Sequence, residues 1–346
     1  MSDKKKIAII GATGYTGSEL VRILHNHPDV EISVITSESK AGKHFHDVHP
    51  FFSGIDEHTL ISSDEIDEHQ IDLAFLALPH GVSMDFVKKN HDKPYKIIDL
   101  SGDFRLKTPE VYKEWYNKEH SYPEGFSKAI FGLPELYGED IKQADLVANP
   151  GCYPTSALLG AAPIIQENLA GPGPVIVDSK SGVTGAGVKS SPVTHYSNAN
   201  ENFRAYGLKK HRHTIEIQEI LEKISGRDVN VQFTPHLLPV DRGILSTIYS
   251  NPVSGFNAKQ LPEVYKKFYA ETPFVRVRKE PPALKDVRGS NYCDVYATYD
   301  ERTNLIIVVS VIDNLVKGAA GQAVQNMNIM FGWDETAGLH SIPVSP

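Results

Sequence analysis

Residues 6–17 read Lys6-Ile7-Ala8-Ile9-Ile10-Gly11-Ala12-Thr13-Gly14-Tyr15-Thr16-Gly17. A short apolar strand runs into three regularly spaced glycines, and a helical pattern with Leu20, Val21, Ile23 and Leu24 on one face follows. Such a turn leaves backbone N–H groups free at a helix start, with the positive end of the helix dipole behind them. That is a seat for the pyrophosphate of a dinucleotide. The spacing is G-x-x-G-x-x-G rather than the stricter G-x-G-x-x-G, so the flanking strand and helix carry the reading. The competing reading is a tight structural turn.

Working outward, further short apolar strands fall at 30–35, 71–78, 96–100 and 145–148, and Pro79-His80-Gly81 closes the second of these. Nearly continuous apolar strands between helical stretches mean a parallel sheet covered on both faces. The texture changes after residue 150. Val175-Ile176-Val177 leads into a glycine-rich loop at 180–187, and strands at 230–233, 243–249, 274–277, 294–299 and 305–312 follow without intervening helices. The last two flank a hairpin loop at 300–304. The chain therefore reads as α/β plus α+β: a Rossmann-type parallel-sheet domain and a second, mostly antiparallel α+β substrate domain. The expected boundaries are 1–148 for the first, with 314–346 returning to it, and 149–313 for the second. A helix at 317–330 ends the pattern.

The nicotinamide cofactor's identity depends on the end of the second strand, Thr36-Ser37-Glu38-Ser39-Lys40. An NAD site places an acid there for the ribose 2′-hydroxyl. Here Ser37 and Ser39, with Lys40 and Lys43 close by, suit the 2′-phosphate of NADP. Glu38 opposes that reading if it points inward.

Cys152 is the residue most suggestive of chemistry. It lies in Asn149-Pro150-Gly151-Cys152-Tyr153-Pro154-Thr155, between a strand and a helical pattern. A thiol at a helix start has its thiolate stabilised by the dipole, which makes it a nucleophile. A buried structural cysteine is the alternative, and the polar turn around it argues against burial.

His211-Arg212-His213 precedes Thr214, a natural helix cap, and an amphipathic stretch with Ile217, Ile220, Leu221 and Ile224. Histidine at a helix start is kept neutral, the form needed by a general base. Arg105 follows Asp99-Leu100-Ser101-Gly102-Asp103-Phe104 at the end of a predicted parallel strand, where ligands bind in open α/β sheets, and its guanidinium suits a carboxylate or phosphate. A salt bridge to Asp103 is the bland alternative. Lys180 and Arg242 are weaker candidates of the same kind, and Cys293 reads as core.

The chain has 346 residues, 40% apolar and 23% charged, with 35 Lys and Arg against 43 Asp and Glu. This fits a globular protein and gives no basic footprint for nucleic acid or an anionic membrane. The start lacks a signal-like apolar core, and no apolar run is long enough to span a bilayer. Two cysteines give no disulfide framework, so a reducing, cytoplasmic setting is expected. No His, Cys or carboxylate cluster has metal-site spacing.

In order and spacing these motifs resemble the N-acetyl-γ-glutamyl-phosphate reductases of arginine biosynthesis, in the semialdehyde dehydrogenase superfamily. The resemblance rests on residues 11–17, 77–81, 99–105 and 149–155, on Ser181-Gly182, on 211–213 and on 313–323. It implies an NADP-dependent reduction of a small acyl phosphate, with the second domain as the catalytic and oligomerisation domain. The exposed sheet of that domain invites pairing, so a homodimer or homotetramer is expected. Cys152 would be the nucleophile and His211 the acid/base residue. Arg105 and His213 would hold substrate anions, and Ser181, Gly182 and Tyr206 would line the acyl pocket. Gly11, Thr13, Gly14, Tyr15, Thr16, Gly17, Ser37, Ser39, Pro79, Asn314 and Gly318 would bind NADP. Members of this family often carry Pro where Ile215 stands, and a basic residue near Glu38. The nearest rival is aspartate-semialdehyde dehydrogenase, and the rival from another class is a non-catalytic NADP-binding redox sensor.

Overall fold

A computed structural model describes residues 4–345. The chain divides into two units: residues 4–150 with Ala319–His340, and Gly151–Gly318 with residues 341–345. The return to the first unit thus begins at residue 319 rather than 314, and the last described residues belong with the second.

Six strands build the sheet of the first unit: β1 (Lys5–Ile10), β2 (Val30–Ile35), β3 (Leu73–Leu76), β4 (Lys96–Asp99), β5 (Ala129–Phe131) and β6 (Leu146–Ala148), in the order β2-β1-β3-β4-β6-β5. Every pairing is parallel. The chain leaves β1 for β2 on one side and returns to β3 on the other, so the topological switch lies between β1 and β3, where such sheets bind ligands. All four residues of β3 are buried, as expected of a strand covered on both faces. The Tyr15–Leu24 helix buries Leu20, Val21, Ile23 and Leu24, the face its periodicity predicts.

The returning helix, Gly321–Met330, is buried along its whole length despite its amides. Two of its asparagines bond inside the unit: Asn326 Nδ2 donates to Gly132 O at 2.8 Å and to Asn149 Oδ1 at 3.0 Å, and Asn328 Oδ1 meets His27 Nε2 at 2.9 Å. Hydrogen bonding offsets the burial of these polar groups.

The second unit holds β7 (Val175–Ser181), β8 (Arg204–Ala205), β9 (Val231–Leu237), β10 (Ile244–Ser250), β11 (Val275–Val277), β12 (Cys293–Asp300) and β13 (Leu305–Ile312), in the order β11-β12-β13-β10-β7-β9-β8. Only β7/β9 and β11/β12 are parallel. β10 alternates strictly between buried and half-buried residues. Its inner face receives the Cys152–Gln166 helix, with Ser156 Oγ donating to Ser246 Oγ at 2.9 Å. A Cβ on Gly160 would stand 2.5 Å from Ile248 Cδ1, so helix and sheet are in close contact there.

Four local expectations are corrected. β7 runs through Lys180 and Ser181, whose side chains keep the strand's alternation, so the glycine loop starts at Gly182. The histidine-bearing helix spans His213–Ser225 with Arg212 as its cap, not Thr214. A helix at Leu261–Phe268 separates β10 from β11. The stretch expected as one helix over 317–330 begins with a π-helical turn, Val316–Ala320, in which Gly318 N donates to Asp313 O at 2.9 Å. Among the described residues, no helix is long and apolar enough to cross a membrane.

Candidate active site

The glycine loop of the first unit is built by two different demands. Gly11 has φ of 86°, and a Cβ there would stand 2.7 Å from Ala77 O. A Cβ on Gly17 would lie 2.6 Å from Ala12 Cα. Both positions exclude a side chain. Gly14 differs: its Cβ would meet nothing within 4 Å, and it caps the Tyr15–Leu24 helix without a side-chain bond to the first turn. An open space before uncapped helix amides fits a pyrophosphate. Thr13 Oγ1 lies 3.3 Å from Ser37 Oγ, and Gly11 N donates to Thr36 Oγ1 at 3.3 Å, joining the loop to the end of β2. Tyr15, Ser39, Lys40 and Pro79 are exposed, and Thr16 is half-buried. Glu38 Oε1 accepts Ser63 N at 2.9 Å and its Oε2 the Ser62 hydroxyl at 3.0 Å. The bonds from Ser63 hold its carboxyl below the ordinary range.

The loops after β3 and β4 are joined through Asp103, whose buried carboxylate accepts Gly81 N at 2.8 Å, Met84 N at 3.0 Å and the Tyr112 hydroxyl at 2.9 Å. Gly102 N donates to His80 Nδ1 at 2.7 Å. Asp99 lies buried behind them, pushed up to about 6 by burial and by the charge of Asp103. Arg105 is 7% exposed and donates from Nη2 to Leu100 O at 2.6 Å.

In the second unit Cys152 opens the Cys152–Gln166 helix, as the strand–turn–helix reading requires, and is half-buried. The peptide before it is held by a carboxylate: Gly151 N donates to Glu216 Oε1 at 2.8 Å, and Glu216 is 1% exposed. The π turn lies against Cys152, since a Cβ on Gly318 would stand 2.8 Å from Cys152 Cβ. Asn314 Oδ1 accepts Gly243 N at 2.7 Å and its Nδ2 donates to Thr184 Oγ1 at 3.0 Å. Asp313 beside it pairs with Arg242 at 3.1 Å, and Lys180 pairs with Asp178 at 3.1 Å.

His211 stands in a cage of rings. Tyr153, Tyr206 and Phe233 meet it edge-on, with centroids 5.7, 5.6 and 5.4 Å away, and the His213 ring lies 4.7 Å off. Burial, helped by the charge of Arg212, pushes His211 down to about 4. The neutral ring therefore owes more to the cage than to the helix start invoked from sequence. His213 N donates to His211 Nδ1 at 3.2 Å, which assigns the ring proton to Nε2. In this tautomer His211 presents a donor rather than a base. The Tyr206 hydroxyl donates to that of Tyr153 at 3.1 Å, which donates in turn to His236 O at 3.0 Å. Burial raises both phenols, Tyr206 to about 12. Ser181 is buried, its hydroxyl bonded to Gly182 O at 3.0 Å, and a Cβ on Gly182 would lie 2.6 Å from Asp241 O.

The second unit thus gathers Cys152, Tyr206, His211 and His213, with Gly318 against the thiol, and the first unit gathers the glycine loop with Ser37. Glu216 and Tyr153 join this cluster through the Gly151 amide and the His211 ring, contacts that the motifs alone do not reveal. Glu216 was visible only as an acid beside Ile217 in the apolar stripe of its helix. Among the described residues, no group of three or more His, Cys, Asp or Glu side chains is placed to hold a metal ion.

A parallel sheet with a glycine loop, followed by a unit whose thiol opens a helix next to Tyr153, the ring that meets a buried histidine, defines the class of the thiol-dependent semialdehyde dehydrogenases. The family description "Semialdehyde dehydrogenase, NAD binding domain" matches residues 6–144, and "Semialdehyde dehydrogenase, dimerisation domain" matches 152–314. The chain is 47% identical over 342 residues to the N-acetyl-gamma-glutamyl-phosphate reductase of Desulforudis audaxviator, covering 96% of this chain and 97% of that one. It is 49% identical over 347 residues to the reductase of that name from Desulfotalea psychrophila, covering 99% of each. Aspartate semialdehyde dehydrogenase II of Vibrio cholerae, solved with ASA, superposes with a TM-score of 0.74 at 19% identity over 96% of this chain and 99% of that one, a likeness of fold. The chain belongs to the N-acetyl-γ-glutamyl-phosphate reductase family of the semialdehyde dehydrogenases.

Proposed function

We propose that this enzyme reduces N-acetyl-γ-glutamyl phosphate to N-acetylglutamate 5-semialdehyde and phosphate, with NADPH as the cofactor and Cys152 as the nucleophile. The observation that carries the reading is the thiol at a helix start with its preceding peptide held by Glu216. The Cys152 thiolate attacks the acyl carbon, the C–S bond forms, and the C–O bond to phosphate breaks as phosphate leaves. Backbone N–H groups at the helix start stabilise the oxyanion. When bound, the nicotinamide supplies the hydride equivalent that reduces the resulting thioester. His211 Nε2–H faces the acyl oxygen as an electrophilic donor and helps deliver the proton that makes it a hydroxyl. Collapse of the hemithioacetal then passes its hydroxyl proton back through His211, breaks the C–S bond, releases the aldehyde and returns the thiolate.

Gly11, Thr13, Gly14, Tyr15, Thr16 and Gly17 seat the pyrophosphate, and Ser37 and Ser39 the 2′-phosphate. Pro79, Asn314 and Gly318 border the cofactor, Asn314 by fixing the Thr184 turn and Gly318 by its smallness beside the thiol. Arg105 and His213 bind substrate anions, and Ser181, Gly182 and Tyr206 shape the acyl pocket. The enzyme works as a homodimer or homotetramer. It acts in the cytoplasm, where a free cysteine stays reduced. The test is phosphate-dependent reduction of NADP+ with N-acetylglutamate semialdehyde beside aspartate semialdehyde. Turnover with the acetylated substrate, only when phosphate is present, is expected. Preference for aspartate semialdehyde would move the assignment to the shorter substrate, and cofactor binding without any turnover would favour a sensor.

A further inference from the structure

Glu38 stands about twenty residues beyond the glycine loop, where an NAD enzyme carries the acid that accepts from the ribose 2′-hydroxyl. A free carboxylate there favours NADH and repels a 2′-phosphate. Ser37, its immediate neighbour, lies against Thr13 of the loop, so the backbone delivers residue 38 to the edge of the cofactor seat. The side chain turns elsewhere. Both of its oxygens are taken by the turn at Ser62 and Ser63, at 3.0 and 2.9 Å, at the start of the 3-10 helix Ser63–Glu68. That turn is fixed alongside by the backbone: Thr36 bridges Ile61, and Ser37 N donates to Ile61 O at 3.0 Å.

We propose that the Ser62–Ser63 turn is a specificity clamp that withholds Glu38 from the cofactor seat, and that this retention, not an added cation alone, lets the enzyme take NADPH. The proposal rests on the NADP reading above. It assigns cofactor choice to residues distant in sequence from the glycine loop. It also accounts for an acid at a position where an NADP enzyme is better without one.

The test uses the double variant Ser62→Ala/Ser63→Pro, which removes the hydroxyl and the amide that hold Glu38. Proline suits the site: Ser63 is the first helical residue, and Ser62 has φ −72° and ψ 151°, the conformation preferred before proline. Calorimetric titration with NADP+ and with NAD+ reads the effect without turnover. The expected result is a fall of about tenfold in the NADP+/NAD+ affinity ratio, as the freed carboxylate comes within a few ångströms of the 2′-phosphate. Adding Glu38→Gln to the double variant restores the ratio. An unchanged ratio in the folded double variant overturns the clamp. Glu38→Ala alone tests it independently of that fold: NADP+ affinity stays within about twofold if the carboxylate is already withheld, and a rise of about tenfold overturns the proposal. Equal affinity of the unaltered enzyme for both cofactors would instead remove the NADP reading itself.

Discussion

Replacing Gly318 by alanine probes the contact between the π turn and the nucleophile. The added Cβ would stand 2.8 Å from Cys152 Cβ, 3.3 Å from Cys152 Cα and 3.2 Å from Ile312 Cδ1. Carbon atoms pack at about 3.5–4.0 Å, so the closest pair overlaps by roughly 1 Å. Neither partner is a flexible side-chain end: one is the Cβ of a helix's first residue, the other would sit on a hydrogen-bonded turn. The overlap is relieved only by moving the thiol or the turn. Overpacking of this kind destabilises by about 1–3 kcal/mol, and a displacement near 1 Å in a reacting group lowers turnover by about a hundredfold. The assay is phosphate-dependent NADP+ reduction, with the alkylation rate of Cys152 and a thermal melt alongside. The expected result is a large fall in kcat, altered thiol reactivity, and a Tm lowered by several degrees. A folded Gly318→Ala enzyme with unaltered kcat would refute the steric argument.

Three further outcomes follow from the same geometry. Gly14→Ala places a methyl where nothing lies within 4 Å, so its Tm stays unchanged while NADP+ binding weakens about tenfold or more in a titration; intact binding would mean that the pyrophosphate sits elsewhere. Cys152→Ala abolishes turnover yet retains NADP+ affinity, and loss of binding would count against separate roles for thiol and glycine loop. His211 ionises only near pH 4 in the folded state and near 6.5 in the unfolded chain, so the unfolded state binds the extra proton between those values. Stability is therefore lost as pH falls through this window, by up to about 3 kcal/mol from this ring. In urea titrations at pH 7 and pH 4.5, His211→Gln should lose correspondingly less stability than the unaltered enzyme. Equal losses would show that the ring is not held neutral by burial.

The glycine loop, the cysteine turn and the returning helix were legible because each is a local signal: glycines at a strand end, a polar turn before a helical pattern, a late apolar period. Features that depend on distant partners were not. The π turn at Val316–Ala320 has an ordinary helical composition, and only its packing against Cys152 distinguishes Gly318. Helix Gly321–Met330 carries amides on faces that periodicity would expose, yet Gly132 and Asn149 accept from Asn326, and His27 meets Asn328, in the interior. β5 is three residues long and ends three residues before Pro134, too short to produce a period. Thr214 is a better cap than Arg212 by residue type, but the helix starts two residues earlier, where His213 N bonds back to His211 Nδ1. Glu38 had the right position to read NAD, and only its serine partners, 24 and 25 residues further along the chain, decide its direction.

The bond between Glu216 and the Gly151 amide also bears on when the protein becomes reactive. These residues are 65 positions apart in the chain. A growing polypeptide that has released Cys152 but not yet the His213–Ser225 helix holds the thiol without the carboxylate that fixes its turn, and without the ring cage of His211. The nucleophile is thus completed from both ends of a long loop at once. Its competence arrives with tertiary structure, and a partly made chain carries only an ordinary cysteine.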